Sequence, residues 1–272
     1  MQIQFQHPPL TVFESALFRT TSTVIETPEL ILVVDPNCLP REIEFIQRHV
    51  QQIRGDRPVF LLFTHSDWDH IIGYRAFDGA QVIAAQAFAD NPSPGKSLDD
   101  IRRFDDEYYI RRPYPIEYPR VDKVIHSDGQ TLEFGDTRLV FYLAPGHTAD
   151  GLFTVVEPYG IWLAGDYLSN MEFPFVYHSF SEYLHTLSTA TDLLQNHAIR
   201  LLVPGHGDVT TDKSTMQSRI DESEQYLRRV VRAASNDNAF DEEFFNRFPF
   251  PLMLQKYHRE NLELARRETG QG

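Results

Sequence analysis

The chain has 272 residues, of which 42% are hydrophobic, and acids outnumber bases 39 to 25 for a net charge of −14. That length can bury a full-sized core, while the acidity argues against a nucleic-acid partner, which needs a basic face. The single cysteine, Cys38, excludes an internal disulfide and any structural zinc site made of several thiolates.

Leu10 to Arg19 and Ser22 to Glu26 read as paired strands, and Glu29 to Val34 runs apolar into a turn at Asp35-Pro36. Cys38 falls in the turn that follows, as an inert, semi-buried thiol. Pro40 to Gln52 carries Ile43, Ile46 and Val50 at spacings of three and four, which predicts an amphipathic helix. Pro58 to Phe63 is short and continuously apolar, as expected of a strand buried on both faces. It ends abruptly in Thr-His-Ser-Asp-Trp-Asp-His, and the end of a buried strand is where α/β folds put chemistry.

Gln81 to Ala85 reads as a further strand. Residues from about 91 to 120 differ in kind, with five prolines and Tyr108, Tyr109, Tyr114 and Tyr118. A helix at roughly Leu98 to Ile110 fits inside this segment, which reads as an insertion over the site. It is either a lid lining an aromatic pocket or a packed edge. Arg102, Arg103, Arg111 and Arg112 make it the one candidate basic patch. Val121 to Ala144 reads as strand, turn, strand, and Leu152 to Val156 with Ile161 to Ala164 as a hairpin. A helix at Ser181 to Asn196, a strand at Arg200 to Val203 and a helix at Lys213 to Ala234 follow. Pro251 to Arg267 is also helical in pattern. Two strand-rich stretches, each followed by helices, fit two packed sheets with helices outside. The N-terminus shows no basic segment followed by an apolar one, and no apolar run reaches the ~18 to 20 residues of a membrane span. A soluble, cytoplasmic protein with a small-molecule substrate is the expectation. Nothing indicates the oligomeric state.

Thr64-His65-Ser66-Asp67-Trp68-Asp69-His70 holds four potential metal ligands in six residues. In an extended segment, positions 65, 67 and 69 project to one side, and a tight turn can aim His70 at a second metal. Three further stations each end an apolar strand: Gly146-His147, Gly165-Asp166 and Gly205-His206. In each, the glycine lets the backbone turn sharply before the ligand. A polar loop explains any one of these residues better than ligation does; it does not explain all seven in this order.

This set resembles the signature of the metallo-β-lactamase superfamily, His-x-His-x-Asp-His followed by a distant His, an Asp and a His, over about residues 10 to 207. The resemblance implies an αββα sandwich (α/β, four layers) with two divalent metal ions at the sheet edge. His65, Asp67 and His147 would hold one ion, Asp69, His70 and His206 the other, and Asp166 would bridge them. It also implies hydrolysis of a small ester-like substrate (thioester, lactone or phosphoester) by a hydroxide held between the metals, with Asp69 as proton acceptor. The whole chain, 1–272, would form one such domain, with the insertion at about 91–120 and a helical extension at about 213–268.

Asp67 stands where the family has a histidine. Three carboxylates and one hydroxide then balance two divalent cations, and the oxygen-rich site admits iron or manganese, although zinc is favoured. An iron-dependent oxidoreductase, akin to flavodiiron or persulfide dioxygenase proteins, and a non-catalytic metal-binding relative are the alternatives. Tyr167, Glu172, Tyr177 and His178 follow Asp166 closely enough to touch substrate or the ligands. His126, His185, His197 and His258 show no partner pattern and read as surface or helix-face positions.

Overall fold

The computed structural model of the chain describes residues 1–236 and 242–270. The first sheet takes its strands in chain order: β1 (Gln2–His7), β2 (Leu10–Glu14), β3 (Thr21–Glu26), β4 (Ile31–Val34), β5 (Val59–Leu62), β6 (Gln81–Ala85) and β7 (Lys123–Ile125). Pairing is antiparallel from β1 to β4 and parallel from β4 to β7. Parallel neighbours need a crossover, and α1 (Pro40–Ile53) supplies the first, burying Ile43, Ile46 and Val50. β2 and β4 are buried along their whole length, which requires cover on both faces.

The second sheet runs β12-β11-β10-β9-β8, from β8 (Gln130–Phe134), β9 (Thr137–Leu143), β10 (Leu152–Glu157), β11 (Ile161–Leu163) and β12 (Leu201–Val203). Its strands alternate in what they face, as a period of two demands. Leu139, Phe141, Leu152, Val156, Ile161, Leu163, Leu201 and Val203 pack with the first sheet. The residues between them, Val140, Phe153, Val155, Trp162 and Leu202, pack with Leu187 of α5 (Phe180–Asn196), Ile220 and Leu227 of α6 (Lys213–Asn236) and Leu254 of α7 (Pro251–Glu268). Helix, sheet, sheet and helix are therefore stacked in that order, the expected sandwich. Among the described residues no helix is long and apolar enough to cross a membrane.

Several expectations need correction. Gln2–His7 is an edge strand whose alternation is too polar to announce it. Val121 to Ala144 holds three strands, because the chain leaves the first sheet after β7 and enters the second at β8. The helix of the insertion, α4 (Pro94–Glu107), starts earlier than expected, with proline in its first turn. Cys38 is fully buried, and burial pushes its thiol far up. Residues 237–241, within the expected C-terminal extension, lie outside the described residues.

Residues 91–120 pack along the edge of the segment that carries Ser66 and Trp68. Ser97 donates to the Ser66 carbonyl at 2.8 Å, and Trp68 packs its ring against Phe104 at 4.8 Å. Arg112 pairs with Asp105 at 2.8 Å and donates to the Cys38 carbonyl at 3.0 Å. Tyr118 packs on Phe88, while Tyr108 and Tyr109 face solvent. Arg102 and Arg103 pair with Asp99 and Asp100, so three of the four arginines of the candidate basic patch are matched by carboxylates.

Candidate metal centre

All four stations leave the C-terminal ends of strands. Residues 64–70 follow β5 of the first sheet; His147, Asp166 and His206 follow β9, β11 and β12 of the second. β11 and β12 are parallel with Leu163 opposite Val203, so Asp166 and His206 emerge side by side. The segment after β5 is not extended throughout. Asp67 is, but Asp69 and His70 lie on the short helix α2 (Trp68–Ile71). Asp67 and Asp69 therefore diverge, and each joins a different group of ligand atoms.

His65, Asp67, His147 and Asp166 each place a ligand atom within 4.8 Å of the others, and so do Asp69, His70 and His206. Asp166 touches both groups: its Oδ2 lies 3.3 Å from His147 Nε2 and 3.4 Å from His206 Nε2, and its Oδ1 3.0 Å from His70 Nε2. Asp67 Oδ2 is 3.3 Å from His147 Nε2, so the carboxylate in place of the family's histidine still reaches the cluster.

The four imidazoles are held in one way. Nδ1 of His147 donates to the Phe175 carbonyl at 2.7 Å, and Nδ1 of His206 to the Phe18 carbonyl at 2.9 Å. Nδ1 of His70 donates to Asp35 Oδ2 at 3.0 Å. Thr64 gives its hydroxyl proton to Asp35 at 2.5 Å, so its oxygen can only accept from His65 Nδ1, 3.0 Å away. A carbonyl or carboxylate accepts and cannot donate, which fixes the proton on each Nδ1 and leaves each Nε2 lone pair aimed inward. Nε2 of His65, His70 and His147, with Asp166 Oδ1, is buried with no hydrogen-bond partner. Buried polar atoms without partners are costly, and cations at this point would satisfy all four. The donor set fits divalent metal ions.

Charge follows the same logic. Burial opposes the charge on Asp166, but His206, His70 and His65 outweigh it and hold the carboxyl well below its usual range. Burial likewise opposes Asp67, and His147 overcomes it. The reciprocal balance raises His70 and His147 far above the ordinary imidazole value and His206 to about 10. Protons on these rings do what cations would do there.

Two of the glycines act as expected: Gly146 (φ 132°) and Gly165 (φ 53°) adopt backbone that other residues avoid. Gly205 serves differently. A Cβ there would fall 2.2 Å from Asp166 Oδ1 and 3.0 Å from His70 Cε1, so its task is to leave room.

The neighbouring residues divide. The Tyr167 hydroxyl accepts from the His147 N–H at 3.0 Å and donates to the Ala144 carbonyl at 2.9 Å, which makes it a structural brace. Glu172 joins Asp166 and His206 in a third group within 4.8 Å, and burial raises its carboxyl to about 7. The Tyr177 ring packs 5.0 Å from His147. His178 turns outward to Glu182 at 2.8 Å and is not brought to the ligands. His126 and His185 are exposed. His197 instead bonds Tyr142 and Glu157, and His258 is buried beside Tyr226, where burial lowers it to about 4. Asp35 and Thr64 are the contributors that sequence reasoning passed over. The signal was present: Asp35 ends an apolar strand, as the ligands do.

A profile of the Metallo-beta-lactamase superfamily matches residues 16–208. The human acyl-coenzyme A thioesterase MBLAC2 is 25% identical over 168 residues, which cover 58% of this chain and 60% of that protein. The chain thus spans less than two thirds of the length of this relative. Among solved structures, the metallo-beta-lactamase family protein TTHA1429 from Thermus thermophilus superposes with a TM-score of 0.62 at 20% identity, over 97% of this chain and 95% of that one. The superfamily protein ST1585 from Sulfolobus tokodaii gives 0.56 at 15% identity, over 98% and 100%. With most of its length matched by the family profile and its two sheets flanked by helices, the chain belongs to the metallo-beta-lactamase superfamily.

Proposed function

We propose that the chain is a metal-dependent hydrolase of acyl thioesters, with two ions as its complement and zinc the favoured metal. The observation that carries this reading is the set of four imidazoles, pinned at Nδ1 and converging with three carboxylates around Asp166. His65, Asp67 and His147 would hold one ion and Asp69, His70 and His206 the other, with Asp166 within reach of both groups. Residues 1–272 act as one domain of the family, with 91–120 as an insertion and 213–268 as a helical extension. A thioester is preferred to a lactone or phosphoester because of the activity named for the human relative.

Bound there, divalent ions would polarise the scissile carbonyl and make water acidic enough to react near neutral pH. The chain's own residues do the rest. Asp69 takes a proton from the attacking water as its oxygen bonds to the acyl carbon. The C–S bond then breaks, and the proton passes from Asp69 to the departing thiolate, leaving a carboxylic acid and a thiol. Asp35 and Thr64 keep His70 and His65 in register during the cycle.

The oxygen ligand at Asp67 favours a second reading, an iron-dependent oxidoreductase. Metal content by mass spectrometry, followed by a thioester panel and oxygen uptake, separates the two. About two zinc or manganese ions per chain with thiol release supports the hydrolase. Iron with oxygen consumption and no thiol release would replace it, and full loading with neither activity would leave a metal-binding relative.

A further inference from the structure

Phe18, Phe250 and Leu252 expose 43%, 57% and 85% of their surfaces, although large apolar side chains in water carry a cost. They are not scattered. With Leu17, Met171 and Leu254 they line one cavity of about 500 Å³, where the turn after β2 meets the start of α7. A hollow of this size suits a small ligand, for which ~300–1,000 Å³ is usual, better than a flat protein partner.

Two charged side chains border it. Arg19 pairs with Glu14 at 2.8 Å and with Asp208, and its Nη1 rests against the Met171 sulfur at 2.9 Å, so its charge is already balanced. The other is Glu172, whose carboxylate belongs to the group with Asp166 and His206. Through Glu172 the cavity therefore adjoins the metal centre. Phe18 makes the same connection, since its carbonyl holds His206.

On the Asp67 side lies a different hollow of about 650 Å³. It is bordered by Ser97, Thr148 and Asp150 and carries Lys96 and Lys256, two of the chain's four lysines. The centre thus has an apolar hollow beside one ligand group and a polar one beside the other.

We infer that the apolar cavity is an acyl-chain subsite: a hydrocarbon chain lies against Phe18, Phe250 and Leu252, its terminal acyl carbon at the metal centre. The polar leaving group then extends into the lysine-bearing hollow. The placement of the acyl carbon rests on the thioesterase reading; the binding of the chain does not.

The test uses the full, zinc-loaded chain and acetyl, hexanoyl and dodecanoyl thioesters of one thiol. kcat/KM should rise about two- to fourfold per methylene over the first carbons. Leu252→Asp and Phe250→Ser, both exposed and tolerant of polarity, should flatten that rise, lowering the ratio of dodecanoyl to acetyl kcat/KM. Titration calorimetry with dodecanoate should show saturable binding that Leu252→Asp weakens tenfold or more. Acetyl hydrolysis with no dependence on chain length would overturn the subsite and leave the hydrolase standing. If no thioester is cleaved, the hydrolase reading falls and the dodecanoate titration decides alone: binding lost in Leu252→Asp sustains the subsite, and absent or unchanged binding overturns it. A dimer that Leu252→Asp dissociates, with dodecanoate binding unchanged, makes the face a contact between copies and overturns the proposal as well.

Discussion

Asp35 accepts the Nδ1 proton of His70 across 3.0 Å, and both side chains are buried. The same carboxylate takes the hydroxyl proton and the backbone N–H of Thr64, so one buried anion sets two imidazoles. Asp35→Asn is the informative change, because asparagine tolerates the left-handed backbone (φ 45°) at this position. It would replace one of two acceptor oxygens with a donor NH2, which must then face either the Thr64 N–H or His70 Nδ1 and the Thr64 hydroxyl. Metal affinity should fall about 10- to 100-fold, read by competition with a chromogenic chelator, while the circular dichroism spectrum is retained.

Gly205→Ala should act more severely. Its Cβ would meet Asp166 Oδ1 at 2.2 Å, and Asp166 is the residue shared by both ligand groups. Metal content should drop below half that of the wild type, and thiol release should fall at least about 100-fold, as for a misplaced reactive geometry. Full loading and turnover in this variant would disprove the shared role of Asp166.

Removing the metals should take up protons. His206 lies at about 10 without metal, so it binds a proton at pH 8 once the ions leave, and the neighbouring carboxylates displace His70 and His147 in the same direction. Net proton uptake on chelation is the expected outcome, measured by calorimetry in buffers of different ionisation heat; net release would contradict it. The sign for stability follows. A raised imidazole pKa contributes stability that is present below the unfolded value of about 6.5 and lost as pH rises towards 10. The metal-free protein should therefore melt lower as pH climbs from 6.5 to 10, and its gap from the metal-loaded form should widen.

Tyr167→Phe should damage the fold more than the chemistry. It strips partners from the buried His147 N–H and the Ala144 carbonyl, a loss of about 1–3 kcal/mol. The melting temperature should fall, and KM should hardly move. A large rise in KM with unchanged stability would make Tyr167 a substrate contact instead.

Most sheet strands, and the residues that cluster in the candidate centre, were legible because both follow from chain-local pattern: buried strands are apolar runs, and the clustered polar residues sit where those runs stop. β6 and the helix α1 show this for the fold, and His147, Asp166 and His206 for the site. What stayed hidden depends on contacts between distant segments. Asp35 acts on His70 only because β4 and β5 are neighbours, and the carbonyls of Phe18 and Phe175 carry no side-chain signature at all. The spacing of Gly205 resembled that of the other glycines, yet its use is steric and appears only when Asp166 and His70 are in place.

The ligand stations come from both sheets, and the last of them, His206, follows the final strand of the second. No ribosome-bound intermediate that stops short of β12 could complete the cluster around Asp166, however well its first sheet has formed. Ion retention would thus be a readout of completed assembly in the unaltered chain: a copy that held metal through gel filtration would have joined its two halves.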